Sequence, residues 1–250
     1  MNTAPEVQHL LQPLVARAQY NWSSKGFPDR AAEHVLLRLG VTASLQSAFS
    51  EHDLAVMRAA WIDAKALSFF NRHPESSGIE IECGISTRFH RLSNQSSWPR
   101  FAWLITSSQD VDKCIKGIFP SLDNFTSIGS KHPFTAWKHG LISKSASAAF
   151  IIAGEQSALS GDQLKELIAS LLTPGLEYLH KVELIVCHQK NSLSQLNYWQ
   201  SELEVLQQWS PRQSYLKRLA SFFPLLKTAV DKSQSLASHL RLNNKIQVTL

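Results

Sequence analysis

The chain has 250 residues, 44% of them hydrophobic and 18% charged, a balance that suits one sizeable folded core and excludes a disordered chain. Its formal net charge of +5 comes from scattered lysines and arginines with no basic run interleaved with aromatics, which argues against nucleic-acid binding. Cys83, Cys114 and Cys187 are odd in number and far apart, and no apolar run reaches membrane or signal-peptide length, so the expectation is a reduced, cytoplasmic protein without a disulfide framework, a zinc site or a membrane association.

Apolar residues recur at helical spacing from Pro5 to Tyr20, through Val7, Leu10, Leu11, Leu14 and Val15, and predict a first helix interrupted by Pro13. A break over Ser23–Pro28 precedes a second helix from Asp29 to Leu39, which Gly40 stops. A third opens at Ser50 or Glu51 and runs to about Phe70, closed by His73-Pro74. Beyond it, strands and helices alternate. Ile79 to Glu82 forms a first strand, Phe101 to Ile105 a second with a helix from Asp110 to Ile118, and Phe125 to Ile128 a third. Ala148 to Ala153, apolar throughout, reads as a buried parallel strand; Asp162 to Leu172 follows as an amphipathic helix capped by Ser160, and Val182 to Cys187 is a fifth strand. This alternation argues for an α/β fold with a doubly wound, mostly parallel sheet.

After Asn191 the pattern turns helical, from Leu193 to Trp209 and from Gln213 to about Leu240, before Lys245–Leu250 ends the chain as a strand. The apolar positions of this region, among them Leu203, Val205, Leu206, Trp209, Leu216 and Phe222, exceed what one helix face needs, which leaves ordinary core and a protein-partner surface both open. No nucleophile elbow surrounds Ser157 and no phosphate-cradling lysine loop occurs. His132 and His139 flank Trp137 at a spacing poor for one metal ion, so no metal is expected.

The stretch from Ser77 to Leu92 draws the chemistry together. Its strand can carry a carboxylate to the carboxyl end, where open α/β sheets place ligands. Gly84 supplies a tight turn, and Ser86 or Thr87 can cap the next helix. Glu80, Gly84, Thr87, Arg88, Arg91 and Leu92 match the first motif of the leucine carboxyl methyltransferase family, which reads roughly E-L-G-A-G-x-D-T-R-x-x-R-L, and the stretch resembles it. Arg58 with Ile62 and Asp63 resembles the family's R-x-x-x-I-D helix, and Phe150 to Leu172 resembles its strand, E-G turn and following helix, with Glu155 in the turn.

The resemblance implies a class I methyltransferase with a Rossmann-like sheet: an N-terminal helical cap over residues 1–75, then residues 76–250 with a helical insert over about 191–240 before the last strand. It implies S-adenosylmethionine as donor, held by Arg58, Glu80, Gly84, Thr87, Arg88 and Glu155, and a small-molecule acceptor bearing a carboxylate that Arg58 and Arg88 grip. Glu82 stands where the family has its first glycine and Ser86 where it has aspartate, while Thr106 ends the second strand where an acid would meet the donor ribose. Two functional expectations follow: an O-methyltransferase, or a methyltransferase-like protein serving as a partner subunit or small-molecule-binding module.

Overall fold

The computed structural model describes residues 11–22, 29–41, 51–95, 101–142, 146–176, 178–189, 192, 199, 202–210 and 235–243. Three helices come first: α1 (Gln12–Trp22), α2 (Arg30–Leu39) and α3 (Glu51–Arg72). Then β1 (Ser77–Ile81), α4 (Arg88–Gln95), β2 (Ala102–Ser107), α5 (Gln109–Ile118), β3 (Phe125–Gly129) and α6 (Pro133–Ile142) alternate. They continue through β4 (Ala148–Ala153), α7 (Gly161–Leu172) and β5 (Lys181–Gln189), and β6 (Leu203–Trp209) and β7 (Ser235–Leu242) complete the sheet. No described helix is long and apolar enough to cross a membrane.

The seven strands lie in the order β3-β2-β1-β4-β5-β7-β6. β3, β2, β1, β4 and β5 pair in parallel, and β7 enters antiparallel between β5 and β6. Strand order therefore reverses between β1 and β4, the switch point at which an open parallel sheet leaves a crevice at its carboxyl edge.

The strand period of two sorts the core onto two faces. Trp103, Ile105, Phe150, Ile152, Ile185 and Cys187 pack against residues of α1 to α5. Ile79, Ile81, Leu104, Ile151, Ala153, Leu184 and Val186 pack against Phe134, Trp137 and Leu141 of α6 and Leu164, Leu167, Ile168 and Leu171 of α7. All six residues of β4 are buried, as a strand covered on both sides must be. The Ser160 hydroxyl accepts from the Gln163 backbone while the Gln163 side chain accepts from the Ser160 N–H, a capping box that fixes the start of α7.

The predicted helices over 193–209 and 213–240 are corrected at both strands. β6 carries a register shift between Val205 and Gln207, and this bulge reverses the alternation, so Leu203 joins one core face and Trp209 the other. The bulge removes the strand period from the sequence and leaves a spacing that imitates a helix. In β7 the polar Ser238 and His239 face the interior, buried with Ala237 and Leu240, which hides the alternation in the same way. Leu203 and Trp209 are thus core residues rather than surplus partner surface. The strand expected over Lys245–Leu250 lies outside the described residues, as do Leu216 and Phe222. α6 goes beyond the expected elements, although Pro133 at its first position is a recognisable start signal.

β1 and β2 fit closely where Gly78 stands beside Trp103. A Cβ placed on Gly78 would come within 2.2 Å of Trp103 ring carbons, because the indole lies directly over the glycine. Gly78→Ala should lower stability by about 1–3 kcal/mol through overpacking, seen as a reduced urea midpoint at unchanged m-value. An unchanged midpoint would mean that the indole moves aside without cost.

Candidate functional site at the carboxyl edge of the sheet

β1 ends at Ile81, and Glu82 follows with φ of +52°, the one described non-glycine residue in the left-handed region. An L-residue there costs about 1–2 kcal/mol that glycine would avoid. The Glu82 N–H donates to Thr106 O at 2.9 Å, so the end of β1 leans onto the end of β2. Gly84 (φ +68°) and Gly154 (φ +71°) turn the chain after β1 and β4. A Cβ on Gly154 would fall 2.7 Å from Leu159 side-chain carbons and 2.8 Å from Cys187 O, so that turn is closed to larger residues.

Behind these turns lies a buried network of arginines and carboxylates. Glu80 is on the face of β1 that looks toward α3 and α4; its carboxylate accepts from Ser86 Oγ at 2.8 Å and Trp103 Nε1 at 3.0 Å, and pairs with Arg88 Nη1. Arg88 donates further to Asp63 Oδ1 at 2.6 Å and pairs with Glu155 Oε2 at 2.7 Å. Arg91, one helical turn on, donates to Asp63 Oδ2 at 2.7 Å and Asp29 Oδ2 at 2.8 Å. Asp29 also accepts from Arg17 Nε at 2.9 Å, Thr87 Oγ1 at 2.7 Å and the Ala32 N–H at 3.0 Å, the last as the cap of α2. Arg58 reaches Glu155 O at 2.8 Å. Hence Arg58, Glu80, Thr87, Arg88 and Glu155, all expected at one site, do converge, with Gly84 in the turn beside them. Asp29 and Arg17 join them without having been expected.

Four arginines and four carboxylates make this network neutral as a whole. Burial alone would raise the Glu155 carboxyl, but Arg88, with Arg17 and Arg58 behind it, outweighs that penalty and draws it down to about 2. Burial would likewise lower Arg88, and its carboxylate neighbours Glu155, Asp63 and Glu80 reverse the direction and hold it firmly charged. Burial pushes the Cys83 thiol well above its ordinary range. Glu80, Cys83 and Glu155 have ligand atoms close enough to hold a cation, yet both carboxylates are already bound to the Arg88 guanidinium. Arg88 has no exposed surface, so in this conformation its charge is spent within the protein. The void bounded by Arg17, Arg58, Cys83, Glu155 and Gln156 holds about 10 Å³, the room of about one water molecule.

The open space lies beside this network. A cavity of about 440 Å³ is formed by Glu82 after β1, Ser108 and Gln109 after β2, Ser130 to Phe134 after β3, and Gln163 and Glu166 of α7. Thr106, the residue expected at the ribose position, is fully buried and its hydroxyl donates to Pro133 O at 3.1 Å. Asp110 stands on α5 in an exposed pair with Lys113. His132 lines the cavity, a residue singled out in the sequence only as half of an unfavourable metal pair. Ser108, Ser130 and Lys131 were not expected at a site, since loop residues after a strand carry no periodic signal.

At the amino edge of the sheet, α3 is held a second time. Arg72 and His239 contact the Glu183 carboxylate at 3.3 and 3.0 Å, and burial, which opposes ionisation, is outweighed by these partners so that Glu183 is drawn down to about 2.

Two outcomes are expected. Arg88→Ala strands buried carboxylates and should cost about 3–5 kcal/mol, lowering Tm by roughly 10 °C or more; a fall of less than about 3 °C would mean the network is not a structural anchor. Glu155 and Glu183 have folded values near 2 against an ordinary 4.5, so the stability they contribute is present above pH 4.5 and is lost as pH falls toward 2. Urea midpoints measured across that window should fall less steeply for Glu183→Gln than for the wild type, and parallel slopes would refute the assignment.

No protein-family model and no curated protein matches the sequence. Among solved structures, the chain is similar to a Thermobifida fusca protein designated a methyltransferase, with a TM-score of 0.50 at 12% identity over 96% of this chain and 98% of the other. It is also similar to the methyltransferase domain of METTL16 (TM-score 0.49, 13% identity, 93% and 79% covered). A third is the plantazolicin methyltransferase BamL in complex with a substrate analogue and S-adenosylhomocysteine (0.46, 15%, 97% and 100%). The likeness to the Thermobifida fusca protein extends over nearly the whole of both chains, and the fold is the Rossmann-like fold of class I methyltransferases.

Proposed function

We propose that the chain is an S-adenosylmethionine-dependent methyltransferase acting on a small molecule, with a carboxylate as the methyl acceptor. The observation that carries this reading is the 440 Å³ cavity at the carboxyl ends of β1, β2 and β3, whose size suits a nucleoside. Its donor set fits one: Glu82 as an acceptor, the Ser108 and Ser130 hydroxyls, and Phe134 as apolar wall. S-adenosylmethionine, when bound, supplies an activated methyl group, so the residues need only orient the acceptor and exclude water.

In this reading the named site residues divide their work. Gly84 and Arg58 stand nearest the methionyl end, at the turn and over Glu155, while Glu80, Thr87, Arg88 and Glu155 position that turn. The methionyl end is the tighter fit. Occupying it requires α1 and α3 to part around Pro13 and Ala55, which bound the 10 Å³ void. The carboxylate-acceptor assignment rests on the family resemblance, with Arg58 as the cation at the void's wall. The ion pairing of Arg88 and Arg91 favours a second reading, a methyltransferase-like binding module that keeps the nucleoside cavity and transfers nothing.

Calorimetric titration of the purified chain with S-adenosylmethionine and S-adenosylhomocysteine tests the donor. Micromolar binding is expected, abolished in Gly84→Asp because an Asp side chain at φ +68° meets Gln156, 3.2 Å from the added Cβ. No binding up to millimolar concentrations would overturn the donor reading; binding without methyl transfer to any of a panel of carboxylic acids would favour the binding module.

A further inference from the structure

Glu82 combines three costs that a structural residue would avoid. Its backbone is left-handed, where glycine would be relaxed. Its carboxyl is half-buried, and burial raises it above the ordinary glutamate range, opposed only by a hydrogen bond from the Ser108 backbone. Its Oε1 is enclosed and makes no hydrogen bond among the described residues. A side chain strained, desolvated and incompletely satisfied at the mouth of a 440 Å³ cavity calls for a ligand that completes it.

The chemistry of that ligand follows from the carboxylate and its place. An ionised carboxylate only accepts, so its ligand must donate: one hydroxyl satisfies Oε1 once the side chain turns toward the cavity, and a vicinal one shares the carboxylate with the Ser108 backbone. The Glu82 N–H bonds to Thr106 O and its carboxyl meets the Ser108 backbone, so the two ties bracket Ser107 and bring an acid from β1 to the end of β2. In nucleoside-binding α/β sheets the acid that reads a ribose belongs to the strand after the glycine turn. Here β2 ends in Thr106, Ser107 and Ser108, and the Thr106 hydroxyl is committed to Pro133 O.

We propose that Glu82 binds the vicinal hydroxyls of a nucleoside ribose, the acid having moved from β2 to the first position after β1. The assignment rests on the nucleoside reading of the cavity and adds the residue that recognises the sugar. It also gives the strain at Glu82 a purpose: the left-handed backbone is what turns the carboxylate across to β2.

The test compares the wild type with Glu82→Gly and Glu82→Ala, titrated with S-adenosylhomocysteine and, by ligand-observed NMR, with adenosine and 2′,3′-dideoxyadenosine. The wild type should prefer adenosine to its dideoxy analogue by about tenfold or more, the measure of hydrogen bonds to a charged group. Both variants should lose that preference, and Glu82→Gly should melt at or above the wild-type temperature because strain and a buried charge are removed together. A preference retained in the variants, or affinity lost equally for both nucleosides, would overturn the ribose assignment while leaving the donor reading intact. If the wild type binds neither S-adenosylhomocysteine nor adenosine, the donor reading fails and the assignment with it.

Discussion

The Arg88 guanidinium lies among carboxylates from β1, from α3 and from the turn after β4, and the rest of the carboxyl edge is arranged to keep that charge satisfied out of water. Each partner alone would be costly to bury. Together they cancel, and what they contribute is less net free energy than position, because a buried ion pair roughly repays its own desolvation while any wrong docking leaves a charge stranded. α4 is held to β1, α3 to α4, and the β4 turn to both. The glycine turn between Glu82 and Ser86 is therefore held from three sides before any ligand is considered.

This constraint separates two kinds of residue that a motif alone merges. Glu80, Thr87 and Arg88 are buried, Arg88 pairs with Glu80 and Glu155, and Thr87 donates to Asp29, so they fix the shape of the edge. Glu82, Ser108, Ser130 and His132 border open space and remain available to a ligand. The motif stretch holds Glu80 and Arg88 of the first set next to Glu82 of the second, with nothing in the string to tell them apart. The physical division appears only when burial and pairing are known.

β4 was legible because six consecutive buried residues leave no other reading, and α7 because Ser160 and Gln163 announce its start. Gly84 and Arg88 were legible through their motif. Asp29 was read only as the beginning of a helix, since nothing local reveals that its carboxylate also receives Arg17 and Arg91 from distant segments. β6 was misread because its bulge sends Leu203 and Trp209 to opposite faces, and β7 because buried Ser238 and His239 interrupt its apolar period. Where local pattern and burial agree, the chain speaks plainly; where a bulge or a buried polar residue intervenes, only tertiary pairing decides.

The same network imposes an order on folding. α1, α2 and α3 are made before the sheet, carrying Asp29 and Asp63, whose partners Arg91 and Arg88 lie in α4, and Arg58 of α3 donates to the residue 155 carbonyl beyond β4. Contacts of such sequence separation close late, because loop entropy must be overcome before they are gained. Asp29 already has Arg17 within these helices, whereas the pairs of Asp63 with Arg88 and Arg91 and the bond from Arg58 to residue 155 wait for chain that is made later.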